Sequence, residues 1–426
     1  MFDNEEISDY RYLKAIRHRI DTLEFDKKLL LNSVYHCGSK VVGNDAFHSV
    51  ALVANKKTAR FYGNTSCKSP WCCPVCTARK MAKYASKMSA ALDALKGTHN
   101  AAMITFTIPH LNYMTCEEVT EILYNTWKAF VVHGNKLRVG SKNDIFSKFM
   151  ESTESSHRVR VTEYTWGKNG WHPHFHCLFW FPKKHWDEIL SWEAELSDRW
   201  LTLAERYTNK QLLKRFSKEQ AEVKKKNIAD QVATMFKETA RENKGVWISK
   251  ENGKPIIQKS SMYLCGWGAD KETTGNYKQK ACAEGHYTWQ QILAKAADEN
   301  DEKFWRLFFE YAIATRKARH ARVNFSVHSG LCKIIVEHQN SEGFKEILKK
   351  KNTELEDKVG KWQLVCWFTK KSWEGIYYND LQEEILNFGL NGEIEKIDSL
   401  LAQYDLPKCI PKNEAPEVKL MWLEVA

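Results

Sequence analysis

Runs of apolar residues predict several β-strands along the chain. Residues 101–110, AAMITFTIPH, form a β-rich run bounded by Asn100 and Pro109, which indicates a buried strand. Residues 157–166, HRVRVTEYTW, and residues 171–181, WHPHFHCLFWF, form two further runs on either side of the tetrapeptide GKNG. Because an Asn-Gly pair between two such runs is typical of a tight turn, we predict a β-hairpin here.

The rest of the pattern is mainly helical. Charged segments with helical periodicity predict helices over 8–33, 77–95, 116–150, 183–243 and 288–318. Shorter signals predict a hairpin over 245–258 around Asn252-Gly253, a short helix over 259–275, a strand and turn over 320–333, and a strand at 362–368.

The second strand of the hairpin at 157–181 carries His174 and His176. Residues i and i+2 of a strand share one face, so both imidazoles point the same way, and antiparallel pairing places Glu163 across from them. Two imidazoles and a carboxylate with open positions suit a divalent cation that also touches substrate oxygens. A pair of core histidines bonded to the backbone is the alternative, and the facing Glu163 favours the metal.

A second candidate metal site lies in the segment CKSPWCCPVC. Cys73 and Cys76 form a C-x-x-C pair of the kind that presents two thiolates to one tetrahedral zinc ion, and we assign the other two ligands to Cys37 and Cys67. Cys72 is the less suitable donor because it points away from its neighbour. A redox C-x-x-C is the competing interpretation, but no thioredoxin-like βαβ pattern surrounds it.

Composition and charge favour a nucleic-acid partner. The chain has 64 Lys and Arg against 53 Asp and Glu, a formal charge of +11, and sixteen tryptophans. Basic residues interleaved with aromatic faces suit unstacked bases. The charged N-terminal sequence and the lack of an apolar run of about 18 residues predict a cytoplasmic protein without a membrane span.

Three segments, MITFTIPH, RVTEYTWGKNGWHPHFHCLFWF and MYLCGWGADKETTG, occur in this order. Together they resemble the three motifs of the HUH-endonuclease rolling-circle replication initiators, the Rep proteins of bacterial and archaeal plasmids. The cysteine cluster and the stretch at 308–331 are also similar to segments of that family. The resemblance covers about residues 35–335.

This resemblance implies a fold, a metal and a nucleophile. The fold is α+β, with a central antiparallel sheet, flanking helices, an N-terminal Cys-rich zinc-binding segment and a mixed C-terminal region. His174, His176 and Glu163 would bind Mg²⁺ or Mn²⁺, and Tyr263 would attack DNA to leave a 5′-phosphotyrosine and a free 3′-OH primer. Tyr277 and Tyr287 are alternative nucleophiles. Origin DNA, single-stranded or hairpin, and a host helicase, polymerase and single-strand binding protein are the implied partners.

One position departs from the family pattern. The family usually has a lysine three residues after the tyrosine, where this chain has Gly266. Lys259, at a helical i−4 spacing from Tyr263, or Lys271 is expected to supply that positive charge. Further DNA contacts are predicted from residue type near the site, at Arg158, Arg160, Trp166, Lys168, Trp171 and Trp267.

Two other functions compete with plasmid replication initiation. A single-tyrosine HUH transposase or relaxase shares the H-x-H pair and the tyrosine. A non-catalytic zinc-containing DNA-binding protein would keep the cysteine cluster and the basic charge, and only the Gly266 departure favours it. We predict three regions: an N-terminal helical and zinc-binding region (1–95), a nickase domain with a helical insertion at about 183–243 (96–335) and a C-terminal accessory region (336–426).

Overall fold

The computed structural model describes residues 5–42, 49–136, 145–155, 157–241, 245–248, 250–251, 254–255, 285–317, 325–346, 349–350, 353 and 360–412. Within these residues the chain forms two compact units. The first combines residues up to Lys80 with residues from Glu342 onward, and the second runs from Met81 to Ser341.

The strands are all antiparallel to their neighbours. In chain order they are β1 (Ser49–Ala54), β2 (Ala59–Tyr62), β3 (His99–Thr107), β4 (His157–Gly167), β5 (Gly170–Pro182), β6 (Val246–Ile248), β7 (Lys250–Glu251), β8 (Lys254–Pro255), β9 (Tyr287–Thr288), β10 (Phe325–Val327), β11 (Gln363–Thr369) and β12 (Ile410–Pro411).

Helices account for most of the remaining described residues. They are α1 (Glu5–Ile20), α2 (Phe25–Tyr35), α3 (Pro74–Leu95), α4 (Cys116–Lys136), α5 (Ile145–Ser152), α6 (Trp186–Ser191), α7 (Glu193–Leu213), α8 (Lys218–Arg241), α9 (Trp289–Asp298), α10 (Glu302–Lys317), α11 (Ser329–Gln339), α12 (Lys370–Tyr378), α13 (Gln382–Leu390) and α14 (Ile394–Gln403). None of the described helices is long and apolar enough to cross a membrane.

The larger sheet belongs to the second unit. Its strands follow the order β10-β4-β5-β3-β6, and β9 adds to β4. The alternate residues Phe106, Phe175 and Phe179 point to one face, where they are fully buried and pack edge-on against aromatic side chains of α4, α5 and α7. The predicted α+β class, with a central antiparallel sheet and flanking helices, is confirmed.

The smaller sheet, β12-β11-β1-β2, belongs to the first unit. Its central pair joins β1 near the N-terminus to β11 near the C-terminus, from Ser49 opposite Thr369 to Ala54 opposite Gln363. The regions that we predicted as separate N-terminal and C-terminal parts therefore share one sheet. The domain limits at 95 and 335 stay predictions.

The sequence pattern located most elements correctly. The hairpin of β4 and β5 and the strand pair of β7 and β8 lie where Asn-Gly turns were expected. β11 covers all but the first residue of the run WQLVCWF. The prediction of a strand and turn over 320–333 was partly wrong. β10 is followed at once by helix α11, because Leu331 and Ile335, four residues apart, bury one face of a helix. The short helix predicted over 259–275 lies outside the described residues.

Candidate metal centre and active site

The hairpin register brings three ligand side chains to one face of the larger sheet. β4 and β5 pair without interruption, and Glu163 lies directly opposite His174. Gly170 closes the turn with a φ of +87°, and a Cβ there would lie 3.0 Å from the Asn112 carbonyl oxygen. Glycine is therefore required at the point that sets the register.

Three atoms of this group lie at nearly equal distances from one another. The Glu163 Oε2 atom is 3.1 Å from His174 Nε2 and 3.0 Å from His176 Nε2, and the two Nε2 atoms are 3.1 Å apart. Ligands at about 2.1 Å from one octahedral ion, at right angles to each other, lie about 3.0 Å apart. The spacing thus fits three adjacent positions of an octahedral ion and leaves the others open.

Neighbouring groups fix the orientation of both imidazoles. His174 Nδ1 lies 3.3 Å from the His172 carbonyl oxygen, and since a carbonyl oxygen only accepts, Nδ1 carries the proton. His176 Nδ1 lies 3.0 Å from the Thr105 hydroxyl, which can accept a hydrogen bond from it. Both Nε2 lone pairs then point at the Glu163 carboxylate. Converging lone pairs repel unless a cation lies between them, so the donor set fits a divalent metal ion.

The carboxylate of the group is ionised and faces solvent. Burial raises the pKa of Glu163, but when no ion is bound and the two Nε2 atoms carry protons instead, hydrogen bonds from His174 and His176 hold the pKa well below its ordinary value of 4.5. The Glu163 side chain is 36% exposed, against 12% and 7% for the two histidine side chains. Access to the group is therefore from the carboxylate side.

Two further histidines adjoin the group. His172 Nδ1 lies 3.0 Å from His110 Nε2. Burial lowers the pKa of His110 to about 4, and burial together with the neighbouring histidines lowers that of His172 to about 3. Both are neutral near pH 7, so they add no charge beside the three ligand residues.

An open groove of about 1210 Å³ begins at His172 and His110. One wall is the segment from Thr107 to Asn112 that follows β3, and the other is a single face of α8. That face presents mainly polar side chains, among them Lys226, Asn227, Asp230, Gln231, Thr234 and Glu238.

The four predicted cysteines form a second group, in the first unit. Cys37 follows α2, Cys67 lies in the segment before α3, and Cys73 and Cys76 lie at the start of α3. The Sγ atoms of Cys37 and Cys76 are 3.5 Å apart, and Cys67–Cys76 and Cys37–Cys73 are each 3.6 Å apart. Four sulfurs at about 2.3 Å from a tetrahedral zinc ion lie about 3.8 Å apart, so the donor set fits zinc.

The surroundings of the cysteine group show which cysteines belong to it and favour their ionised form. Cys72 is turned away from it, with its Sγ 3.4 Å from the Ser69 hydroxyl. The backbone N–H groups of Cys67 and Ser69 donate to the Sγ atoms of Cys37 and Cys67, both at 3.4 Å, which favours thiolates. Within the described residues, the cysteine group and the Glu163 group are the two sets of three or more such ligands that converge on a point.

Several residues predicted to contact DNA do not lie on the face of the larger sheet that carries Glu163, His174 and His176, here called the metal face. Arg158 and Arg160 point to the opposite face of β4, where their guanidinium groups lie over the rings of Phe146 and Phe175. Trp171 is buried against Tyr311 on that same side, and Trp166 stacks on Tyr287 there. Lys168, in the hairpin turn, is exposed.

The predicted nucleophile lies outside the described residues, as do Lys259, Gly266, Trp267, Lys271 and Tyr277. Tyr287 is described, and its ring packs against Trp166 and Phe304 on the face opposite the metal group. The structure therefore does not bring this alternative nucleophile to Glu163, His174 and His176.

Sequence reasoning missed Thr105 and His110. Both belong to the segment that includes the motif MITFTIPH, and Thr105 occupies the register position directly opposite His176 on β3. A prediction that β3 pairs with β5 would have indicated Thr105, but the pairing register could not be read from either strand alone.

An antiparallel sheet with two histidines and a glutamate on one face is the arrangement expected from the hairpin motif, and its donor set fits a divalent ion. Residues 58–242 match the Rep_1 family of replication proteins, which confirms the resemblance to replication initiators. The matched segment includes Glu163, His174, His176 and three of the four cysteines, and it ends before Tyr263.

Two solved structures are similar to part of this chain. One is the N-terminal origin-recognition/nickase domain of non-structural protein 1 from human bocavirus, at 13% identity over 38% of this chain and 73% of that chain, with a TM-score of 0.19. The other is the N-terminal nuclease domain of non-structural protein 1 from minute virus of mice, at 13% identity over 42% and 80%, with a TM-score of 0.17. At these scores neither contributes to the assignment. No curated protein matches the chain.

Proposed function

We propose that this protein initiates rolling-circle replication of a plasmid by nicking one DNA strand at the origin. The observation that carries the proposal is the triangle of ligand atoms from Glu163, His174 and His176, within a segment that matches replication proteins. Single-stranded or hairpin origin DNA is the proposed substrate.

The ligand residues are arranged to hold an ion without rearrangement. The Nδ1 atoms of His174 and His176 are hydrogen-bonded to the His172 carbonyl oxygen and the Thr105 hydroxyl. Each ring therefore keeps its Nε2 directed at the point between the three ligand atoms. A divalent ion, Mg²⁺ or Mn²⁺, would offset negative charge on a phosphate oxygen and polarise the phosphorus. The exposed side of Glu163 leaves room for that phosphate.

Tyr263 is the proposed nucleophile, on the basis of its place in the third motif. Its Oη would form a bond to phosphorus as the bond from phosphorus to O3′ breaks. The phenol proton is lost to a base and the departing O3′ gains one, which leaves a 5′-phosphotyrosine and a 3′-OH. Because one ester replaces another, the strand can be rejoined or transferred without ATP, and the 3′-OH can serve as a primer.

The cysteine group is proposed to hold one structural zinc ion. Four sulfur ligands close the coordination sphere, so no position remains for substrate. The ion would link the end of α2 to the start of α3.

An adduct assay tests the proposal. The protein is incubated with Mn²⁺ and single-stranded DNA that includes the cognate origin, and the mixture is run on a denaturing gel. We expect an SDS-stable protein–DNA species that is absent with EDTA and absent in Tyr263→Phe, while Tyr287→Phe retains it. DNA binding without any adduct would favour the non-catalytic DNA-binding protein, the alternative that Gly266 supports.

A further inference from the structure

Trp247 is unusually exposed for a tryptophan. Its surface is 37% exposed, and it is the most exposed tryptophan among those whose side chains the structure describes. Tryptophan is a large apolar residue that folded proteins bury for the most part. An indole that is partly exposed this close to a candidate active site can contact a ligand bound there.

The sheet register places Trp247 on the metal face. Trp247 on β6 lies directly opposite Thr105 on β3, and Thr105 lies directly opposite His176 on β5. Residues directly opposite each other in antiparallel strands project from the same face. Since the Thr105 hydroxyl contacts His176 Nδ1, the Trp247 side chain projects from the face that carries the ligand residues.

The distance from Trp247 to the metal group suits neighbouring nucleotides. Adjacent strands lie about 4.8 Å apart, so two strand spacings separate the Trp247 and His176 backbones by about 10 Å. Stacked nucleotides rise about 3.4 Å per step along one strand. A base on Trp247 would therefore lie within roughly three nucleotides of a phosphate at the metal group.

The backbone that carries Trp247 is held firmly. The Val246 N–H donates to the Ser197 hydroxyl at 3.3 Å, and the Ile248 N–H donates to the Glu193 carboxylate at 2.8 Å. Both flanking side chains, Val246 and Ile248, are buried. The indole thus projects from a fixed edge strand, so that little backbone freedom remains to be lost when a base stacks on it.

We propose that Trp247 is a stacking platform for a base next to the cleaved phosphate. This inference rests on the proposed function and adds to it the position of one base. Every base has a π-face, so the contact would strengthen binding of single-stranded DNA with little dependence on sequence. A protein surface that covers Trp247 is the competing occupant.

The test is the affinity for fluorescein-labelled single-stranded DNA, measured by anisotropy in EDTA, where no cleavage occurs. We expect Trp247→Leu, which keeps an apolar side chain but no ring, to weaken binding roughly 5- to 100-fold, in line with the loss of one base–aromatic stack. Trp247→Phe keeps a ring and should lose less than Trp247→Leu. Tyr378→Ala, at an exposed aromatic in the first unit, should bind as the wild type does.

Two outcomes separate this inference from the proposed function. If the wild type forms the adduct and Trp247→Leu binds DNA as tightly as the wild type, the stacking proposal is wrong. The proposed nicking activity is unaffected by that result. If the wild type binds no single-stranded DNA, both proposals fail. A 2-aminopurine base within three nucleotides of the nick should also be quenched by the wild type and Trp247→Phe, and less by Trp247→Leu.

Discussion

Thr105 is the residue that holds His176 in its ligand orientation. Its side chain is fully buried, and its hydroxyl is the partner of His176 Nδ1. Thr105→Val keeps the shape and removes the acceptor, so Mn²⁺ should bind about 10- to 100-fold more weakly, as is usual when a residue that supports a metal ligand is lost. Isothermal titration measures the affinity, and Thr105→Ser should restore most of it. Equal affinities in the wild type and Thr105→Val would contradict the role.

His110 makes the folded protein sensitive to acid. Burial holds its folded pKa at about 4, below the ordinary value of 6.5. Above pH 6.5 both states are neutral and His110 contributes nothing to the pH dependence. Between pH 6.5 and about 4 only the unfolded chain takes up the proton, so the free energy of unfolding should fall by up to about 3 kcal/mol. Urea unfolding at several pH values should show a shallower fall for His110→Gln, and an unchanged fall would contradict the assignment.

The candidate metal ligands could be predicted from the sequence. Residue type alone, however, did not show on which face of the sheet the predicted DNA-contacting residues lie. The H-x-H spacing and the Asn-Gly turn were sufficient for Glu163, His174 and His176 because all three lie within one hairpin. The same strand alternation puts Arg160 and Trp171 on the opposite face, where they pack in the aromatic core. Their residue type suggested DNA contacts. The alternation of side chains along a strand, however, puts them on the face opposite Glu163, His174 and His176.

At the scale of the element, the hairpin turn depends on one glycine. Gly170 adopts a positive φ, which costs other residues about 1–2 kcal/mol, and a Cβ there would press on the Asn112 carbonyl oxygen. Gly170→Ala should therefore lower the free energy of unfolding by at least that amount, as measured by chemical denaturation. Gly97→Ala is the matched control, because no atom lies within 4 Å of a Cβ at that position. A loss no larger than that of the control would contradict the turn geometry.

If the four cysteines hold a zinc ion that links α2 to α3, substitution of one of them should remove the ion. Cys73→Ser removes one of four converging sulfurs and should abolish bound zinc and lower the melting temperature. Cys72→Ser, at the adjacent residue outside the group, should retain one zinc per chain. Native mass spectrometry measures the metal content. Zinc retained in Cys73→Ser, or lost in Cys72→Ser, would contradict the ligand assignment.

Elements with strong local signals were predicted well, and those that depend on distant partners were not. The long helices and the hairpin follow from periodicity and turn residues within each segment. β10 spans only three residues, and it is a strand because it pairs with Val159 to Val161 of β4, more than 160 positions earlier in the chain. No local pattern contains that information.

At the scale of the whole molecule, the two units follow from strand pairing across the chain. β1 pairs with β11, and the pairing joins residues more than 300 positions apart. Local hydrophobic patterns cannot reveal such a pairing, which explains why the terminal regions were predicted as separate parts. The larger unit contains every described ligand of the proposed catalytic ion, and the smaller one contains all four cysteines.

The most direct test of the central claim is the Mn²⁺ dependence of origin-strand nicking in three proteins: the wild type, His176→Ala and His172→Ala. His172 lies on the same face two residues before His174, but outside the converging group. The account predicts that His176→Ala loses nicking at all Mn²⁺ concentrations that saturate the wild type, while His172→Ala retains it. Nicking by His176→Ala at the wild-type rate would contradict the assignment of Glu163, His174 and His176 as the catalytic metal site.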